Sequence, residues 1–291
     1  YQKITEPQQR RAVLDKYLRN CSEHHISVYN PAPMDPFTVS WPGVDDWTGG
    51  IRDRNEKHGG TSSLMLRDEK TNGNVTAVFG KPIAVPEKGF RMRFWYKTGK
   101  PGHPFLVTFG HFDADGAWMS GRNHDFAMEG NGEWRGFDRM IAEFPEGAKA
   151  VRLTLGATPW RENGSPTGTV WYDDVSLADA QTGQELISGG DFEPLDPARL
   201  KPVFQWEKWD RAVKKAFGEY HFNTLRIPLQ GMGSGTYRSR IAPSLLLFGV
   251  DTPEYKAAFR AYVLGVQEHL REKGFLNEAY VYWFDEPAPK D

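Results

Sequence analysis

The residues best suited to chemistry stand together near the end of the chain. Tyr280-Val281-Tyr282-Trp283-Phe284-Asp285-Glu286-Pro287 is an aromatic run that closes on two adjacent carboxylates. Like charges a few ångströms apart do not ionise easily together, and apolar surroundings raise a carboxyl pKa further, so such a pair holds one proton donor and one anion near neutral pH. Hydrolysis of a glycosidic bond needs that division of labour. The competing reading is a solvated strand end before a proline turn, and the aromatic strand counts against it.

Other strand ends supply further candidates, because parallel sheets collect their chemistry at the carboxyl ends of their strands. Tyr29 and Asn30 end a strand expected over 25–29, Arg226 falls late in one expected over 224–229, and Gln230 lies just beyond it. With Trp283, these four are expected to line one mouth as substrate-binding residues. For Asn30 the alternative is an ordinary turn before Pro31. Arg226 sits in an apolar strand, where an unpaired charge is costly, so it should have a carboxylate partner or a substrate contact. Gly231-Met232-Gly233-Ser234-Gly235 lacks the lysine of a nucleotide loop and reads as a flexible rim loop. His24-His25, His103 and His111 have no further ligands at metal-site spacing, and neither His-Glu-x-x-His nor Gly-x-Ser-x-Gly occurs.

The elements that must position these residues follow from periodicity. Val13, Leu14, Tyr17 and Leu18 recur at helical spacing within 7–20, as do Trp209, Val213 and Phe217 within 206–218. Thr252-Pro253 opens the longest predicted helix, 254–273, with Gly274 at its stop, and a strand over 279–284 follows. Helices alternating with apolar strands predict a parallel sheet, as a (β/α) barrel or a doubly wound sheet. Residues 42–194 differ. Short β-rich runs at 62–66, 75–79, 90–96, 105–109, 135–141, 150–155 and 169–177 are separated by Gly, Asn, Asp and Pro. Arg91-Met92-Arg93-Phe94-Trp95-Tyr96 and Val151-Arg152-Leu153-Thr154-Leu155 alternate as half-buried strands do. The predicted fold class is α/β plus all-β. Residues 1–41 begin the (β/α) part, 42–194 form an inserted β-sandwich of jelly-roll type, and 195–291 continue the (β/α) part.

The strand bearing Asp285-Glu286 resembles the catalytic strand of glycoside hydrolase family 123 and its barrel relatives. That resemblance implies a partial (β/α) barrel, about half of a TIM barrel. It also implies retaining, β-N-acetylgalactosaminidase-type chemistry on N-acetylhexosamine glycans, in which the sugar's own 2-acetamido oxygen attacks the anomeric carbon. Glu286 would protonate the leaving oxygen, while Asp285 would orient the acetamido group and stabilise the developing oxazolinium charge. A glycan substrate, no catalytic cofactor, and an extracellular or periplasmic location are implied as well. The middle stretch resembles the jelly-roll, galactose-binding-like carbohydrate-binding modules. The carriers are Gly60-Thr61-Ser62-Ser63-Leu64, Phe94-Trp95-Tyr96-Lys97, Gly132-Glu133-Trp134-Arg135 and Gly168-Thr169-Val170-Trp171-Tyr172-Asp173-Asp174-Val175-Ser176-Leu177. This second resemblance implies a structural calcium held by an Asp of the late strand, here Asp174. Trp47, Trp118 and Trp160 fall in loop-like segments and are candidates for stacking on sugar rings, with core packing the alternative for each.

Composition narrows the partners. The 291 residues carry 36 basic and 38 acidic side chains, a net charge of -2, so no broad field draws nucleic acid or anionic lipid. The most apolar stretch, 241–250, is shorter than the run of about 18 residues that a membrane helix needs. A soluble chain with no nucleic-acid partner and no membrane span is expected. Cys21, the single cysteine, should be a packed free thiol, and no signal peptide is visible behind Tyr1. A complete barrel takes about 250 residues. Removing 42–194 leaves far fewer, and the chain stops soon after Glu286, so a fragment is expected. Two further readings stand beside the hydrolase. One is a non-catalytic carbohydrate-binding protein whose sandwich supplies the affinity; the other is a conventional two-carboxylate glycosidase whose nucleophile lies beyond the end of this chain.

Overall fold

The computed structural model describes residues 4–28, 37–71, 74–160, 164, 166–236 and 239–282. The chain divides into two compact units: Tyr1–Pro42 with Pro197–Pro243 and Lys256–Asp291, and Gly43–Asp196 with Ser244–Tyr255. Helix α1 (Pro7–Glu23) and strand β1 (Thr38–Ser40) come first. Next are β2 (Trp47–Thr48), β3 (Ile51–Asp53), β4 (Ser63–Asp68), β5 (Thr76–Phe79), β6 (Ile83–Ala84) and β7 (Phe90–Thr98). They are followed by β8 (His103–Phe112), β9 (His124–Gly130), β10 (Arg135–Ile141), β11 (Ala150–Gly156) and β12 (Gly168–Asp179). Then come β13 (Val203–Gln205), α2 (Glu207–Gly218), β14 (Leu225–Arg226), β15 (Ser234–Thr236) and β16 (Ser239–Ile241). The last are β17 (Ser244–Leu245), β18 (Phe248–Gly249), α3 (Pro253–Lys273) and β19 (Ala279–Tyr280).

The second unit is an antiparallel β-sandwich. One sheet has the order β10-β7-β12-β4-β3, and the other β2-β5-β11-β8-β9 with β6 paired to β11. Alternation explains the layering: β7 turns Phe90, Met92, Phe94 and Tyr96 inward and Arg91, Arg93 and Trp95 outward. From the facing sheet β8 supplies Phe105, Val107 and Phe109, and β11 supplies Val151, Leu153 and Leu155. Each such side chain contributes about 1.5–3 kcal/mol on burial. Tyr172 meets Phe105 edge-on at 5.9 Å, and its hydroxyl donates to the Gly156 carbonyl at 2.7 Å, so the buried ring keeps its polar tip satisfied. At Gly89 (φ +76) a side chain would run into the carbonyl of Ile141. The turn into β7 therefore requires glycine.

Residues 244–255 belong to this unit through Arg52. The Arg52 guanidinium is buried in an ion pair with Asp45, donates to the Leu246 carbonyl at 2.6 Å and lies 4.6 Å from the Phe248 ring centre. Nearby, Arg54 donates to Glu254 at 2.5 Å.

In the first unit, the apolar stripe of α2 buries Trp209 and Val213 in a cluster with Phe37, Leu225, Ile227, Tyr262, Val266 and Leu270. β14 and β19 are parallel, pairing Leu225 with Ala279 and Arg226 with Tyr280, with α3 between them in sequence. The expected half barrel thus amounts, among the described residues, to one β-α-β unit, while β1 and β13 pair antiparallel. Of the strand expected over 224–229, Leu225 and Arg226 form the strand and the Ile227 amide still donates to the Tyr280 carbonyl at 2.9 Å; of the one over 279–284, Ala279 and Tyr280 are strand among the described residues. Residues 25–28 are not a strand: His25 takes a left-handed turn (φ 56) and the Ile26 amide donates to the Cys21 carbonyl at 2.8 Å, so this segment finishes the helix. The segment read as a flexible rim loop contains the start of β15, which pairs with β16 as a hairpin. Cys21 is buried beside Leu18, Tyr220 and Phe222 as a packed thiol.

Candidate functional site

Of the residues expected at a barrel mouth, Tyr29, Asn30, Trp283, Asp285 and Glu286 lie outside the described residues. Arg226 is half-buried in β14, and its guanidinium donates to the main-chain carbonyl of Tyr282 at 3.2 Å, tying β14 to the chain just beyond β19. Gln230 is exposed in the turn that follows.

Asp174 is in the other unit, on β12, at a break in the register with β7 and with φ 49. The bulge turns its carboxylate toward His58, with Asp174 Oδ2 3.0 Å from His58 Nδ1. Asp173 completes a group of three potential ligands with His58 and Asp174. Its carboxylate already accepts the amide hydrogens of His58 (2.8 Å), Gly59 (3.1 Å) and Asp174 (2.9 Å). Burial nevertheless holds the Asp173 pKa above the ordinary carboxylate range, against the pull of the His58 and Gly59 amides. Calcium takes about 6–8 oxygen ligands. These three side chains supply one imidazole nitrogen and two carboxylates, one of them occupied by N–H donors, which by themselves fall short of such a shell.

A groove of about 580 Å³ crosses the outer face of the six-stranded sheet. Its floor comes from residues that the alternation turns away from the core: Leu106, Thr108 and Gly110 on β8, and Arg152 and Thr154 on β11. Arg152 stands opposite Gly110, Thr154 opposite Thr108, and Thr108 opposite Asp125 of β9. From Leu106 to Gly110 this floor runs about 13 Å, long enough for more than one sugar ring. Trp118 and Trp160 border it and are 54% and 70% exposed. The Trp118 Nε1 donates to Asn123 at 3.2 Å, and Thr108 donates to Asp125 at 2.8 Å. A side chain at Gly110 would stand 3.6 Å from the Trp118 Nε1, so glycine leaves the floor under the indole open. Trp47, the third candidate for stacking, is core: it is 4% exposed, edge-on to Phe79 and Phe192, and donates to the Ser188 carbonyl at 3.0 Å.

A second, larger depression of about 720 Å³ lies on the outer face of the five-stranded sheet. Among its lining residues Asp138, Ser176, Glu185 and Trp95 already have side-chain partners, and Arg93 also lines it. Arg91 pairs with Asp138 at 2.7 Å, Ser176 donates to Glu185 at 2.6 Å, and His58 stacks on Trp95 at 3.7 Å. The Trp118 groove carries the more exposed indoles, since Trp95 is 36% exposed and stacked by His58. Sequence reasoning named Trp118 and Trp160 but missed Arg152, Thr154, Asn123 and Asp125. The alternation over 151–155 was the signal for the first two.

No protein-family model matches the chain, and no curated protein matches it. Among solved structures, it is similar to a family 16 carbohydrate-binding module (16% identity, TM-score 0.32, covering 48% of this chain and 90% of the other). It is also similar to the family 30 module of a cellulosomal cellulase of Clostridium thermocellum (12% identity, TM-score 0.36, 50% and 99%). A third is the C-terminal family 22 carbohydrate-binding module of Clostridium thermocellum Xyn10B (14% identity, TM-score 0.34, 51% and 88%). At such identities and scores these likenesses say nothing about what the groove of this chain holds.

Proposed function

We propose that this protein binds glycan chains in the groove between Trp118 and Trp160. The observation that carries the reading is the pair of open indoles beside a floor of hydroxyl, amide and charged groups. Sugars present apolar ring faces and polar edges, and this surface offers a partner for each. Leaving two tryptophans exposed on one face has little value to folding, whereas an exposed apolar patch rimmed by polar groups is characteristic of a binding surface. The groove is open along the strands, which suits an internal stretch of polymer. The test is affinity electrophoresis of the full chain against a panel of soluble polysaccharides. Retardation by at least one, reduced about tenfold in W118A and in W160A (~1.4 kcal/mol), supports the reading. Equal retardation of both variants and the parent would sink it.

A second reading is hydrolysis, favoured by the β-α-β unit that puts Arg226 and the chain leading to Asp285-Glu286 at the same ends of two parallel strands. In it Glu286 protonates the leaving oxygen and Asp285 orients the 2-acetamido group of an N-acetylhexosamine, outside the cell or in the periplasm. Release of reducing sugar from aryl N-acetylhexosaminides, abolished in E286Q for poor leaving groups, is the expected result. Absence of release would sink this second reading.

A further inference from the structure

We infer that the glycan held in this groove carries acid groups and that Arg152 reads them; the inference rests on the groove being a glycan site. Arg152 projects outward from β11 between the inward-facing Val151 and Leu153. Its guanidinium lies over the Phe112 ring, 4.8 Å from the centre, so the ring holds one face of the plane. The Nε is shut off from solvent and has no hydrogen-bond partner. No ion pair joins Arg152 to any of the described residues. The groove's side-chain amides and its acid have partners: Asn123 accepts from Trp118, Asp125 from Thr108, and Asn74 from the Thr158 hydroxyl at 3.5 Å.

A planar cation fixed against an aromatic ring, with its donors unspent, matches a planar carboxylate. Two parallel N–H···O bonds to an anion are about twice as strong as hydrogen bonds to neutral hydroxyls. Asp125, the one acid among the described residues of the groove, does not replace such a ligand. It belongs to β9, with β8 between it and β11, so it stands two strand spacings away, about 10 Å. At that separation salt screens most of its repulsion for a ligand carboxylate. The groove thus has a cationic edge at Arg152 and a hydroxyl-accepting edge at Asp125. A uronic-acid polymer, with an acid on one side of the ring and hydroxyls on the other, presents the matching pattern.

The test compares polyuronates (polygalacturonate, polymannuronate and polyglucuronate) with the same polymers after reduction of their carboxyls to alcohols, using the full chain and calorimetry at low and high salt. At least one polyuronate should bind tenfold or more tighter than its reduced form, and the margin should shrink with salt. R152Q should erase the margin while keeping the affinity for the reduced polymer within about twofold, and R152K, a cation without the fork, should restore only part of it. Equal affinity of parent protein for both forms, or a margin that survives in R152Q, would overturn the role of Arg152 while leaving glycan binding in place. Binding that is indifferent to W118A and W160A, or no binding of any polymer, would overturn the groove itself and the inference with it. Unchanged near-ultraviolet circular dichroism in R152Q separates either result from misfolding.

Discussion

The indole of Trp118 donates to Asn123 at 3.2 Å, and this bond fixes the slope of the ring over Gly110. Removing it in N123A should leave the indole free to swing. We expect glycan affinity to fall about three- to tenfold, the worth of one hydrogen bond of about 1 kcal/mol, with the change mainly in the dissociation rate. Tryptophan fluorescence anisotropy should drop in the free protein at the same time. An N123A variant with unaltered affinity and anisotropy would remove Asn123 from the positioning of the ring.

The Asp45–Arg52 pair is enclosed, with side chains 4% and 2% exposed. Burial alone raises the Asp45 pKa, and the nearby Arg52 charge opposes the rise. D45N should leave a buried guanidinium without its counter-charge and lower the unfolding free energy by about 3–5 kcal/mol. A paired replacement by apolar residues, D45L with R52M, should cost less than D45N alone. Urea denaturation of the three proteins measures this, and a D45N midpoint close to the parent's would contradict it.

His111 predicts an acid limb in stability. Its Nδ1 faces the Arg122 carbonyl at 2.6 Å, and its Nε2 is buried without a partner. Desolvation holds its pKa below the ordinary value of 6.5, with a smaller contribution from the charge of His124. Above that value both folded and unfolded rings are neutral. As the pH falls through it, the unfolded ring takes up its proton first, so stability falls with pH by up to about 1.4 kcal/mol per unit. Melting temperatures from pH 7.5 to 5 should decline in the parent protein and decline less in H111Q; parallel curves would assign the limb elsewhere.

The cluster of His58, Asp173 and Asp174 should be indifferent to calcium. After treatment with a chelator, millimolar calcium is expected to leave the melting temperature within about one degree, because the Asp173 oxygens are held by N–H donors and His58 offers a nitrogen rather than an oxygen. A rise of several degrees, lost in D174A, would show an ion there.

The sandwich was legible because its signal is local. The two-residue period of Phe90 to Tyr96 and Val151 to Leu155 sorts inward from outward side chains without knowledge of any partner strand. The helices were legible for the same reason, from apolar spacing and from Pro253 and Gly274 at the ends of α3. The groove was not, since Trp118, Asn123, Asp125 and Arg152 come from three separate stretches that only the register of β8 with β9 and β11 brings together. Trp47 and Trp118 both fall outside the longer strands and differ only in what folds over them: Phe79 and Phe192 close on Trp47. The strand expected over 25–29 failed because helical hydrogen bonding reaches past the last apolar residue of α1 and claims His25 and Ile26.

The hold of Leu246 on Arg52 has a bearing on how the chain is made. Synthesis runs from the N-terminus at about 5–20 residues per second, and a domain folds as its residues emerge. Here the strand carrying Arg52 is among the earliest parts of the sandwich to emerge, yet the carbonyl of Leu246, which accepts from its guanidinium, comes 194 residues later, with Phe248, which covers its plane, just behind. Until those residues are made, a guanidinium destined for the interior has Asp45 for its counter-charge. The nascent sandwich must wait, open at that corner, for a clasp of twelve residues, Ser244–Tyr255, that begins 65 positions after the end of β12 at Asp179.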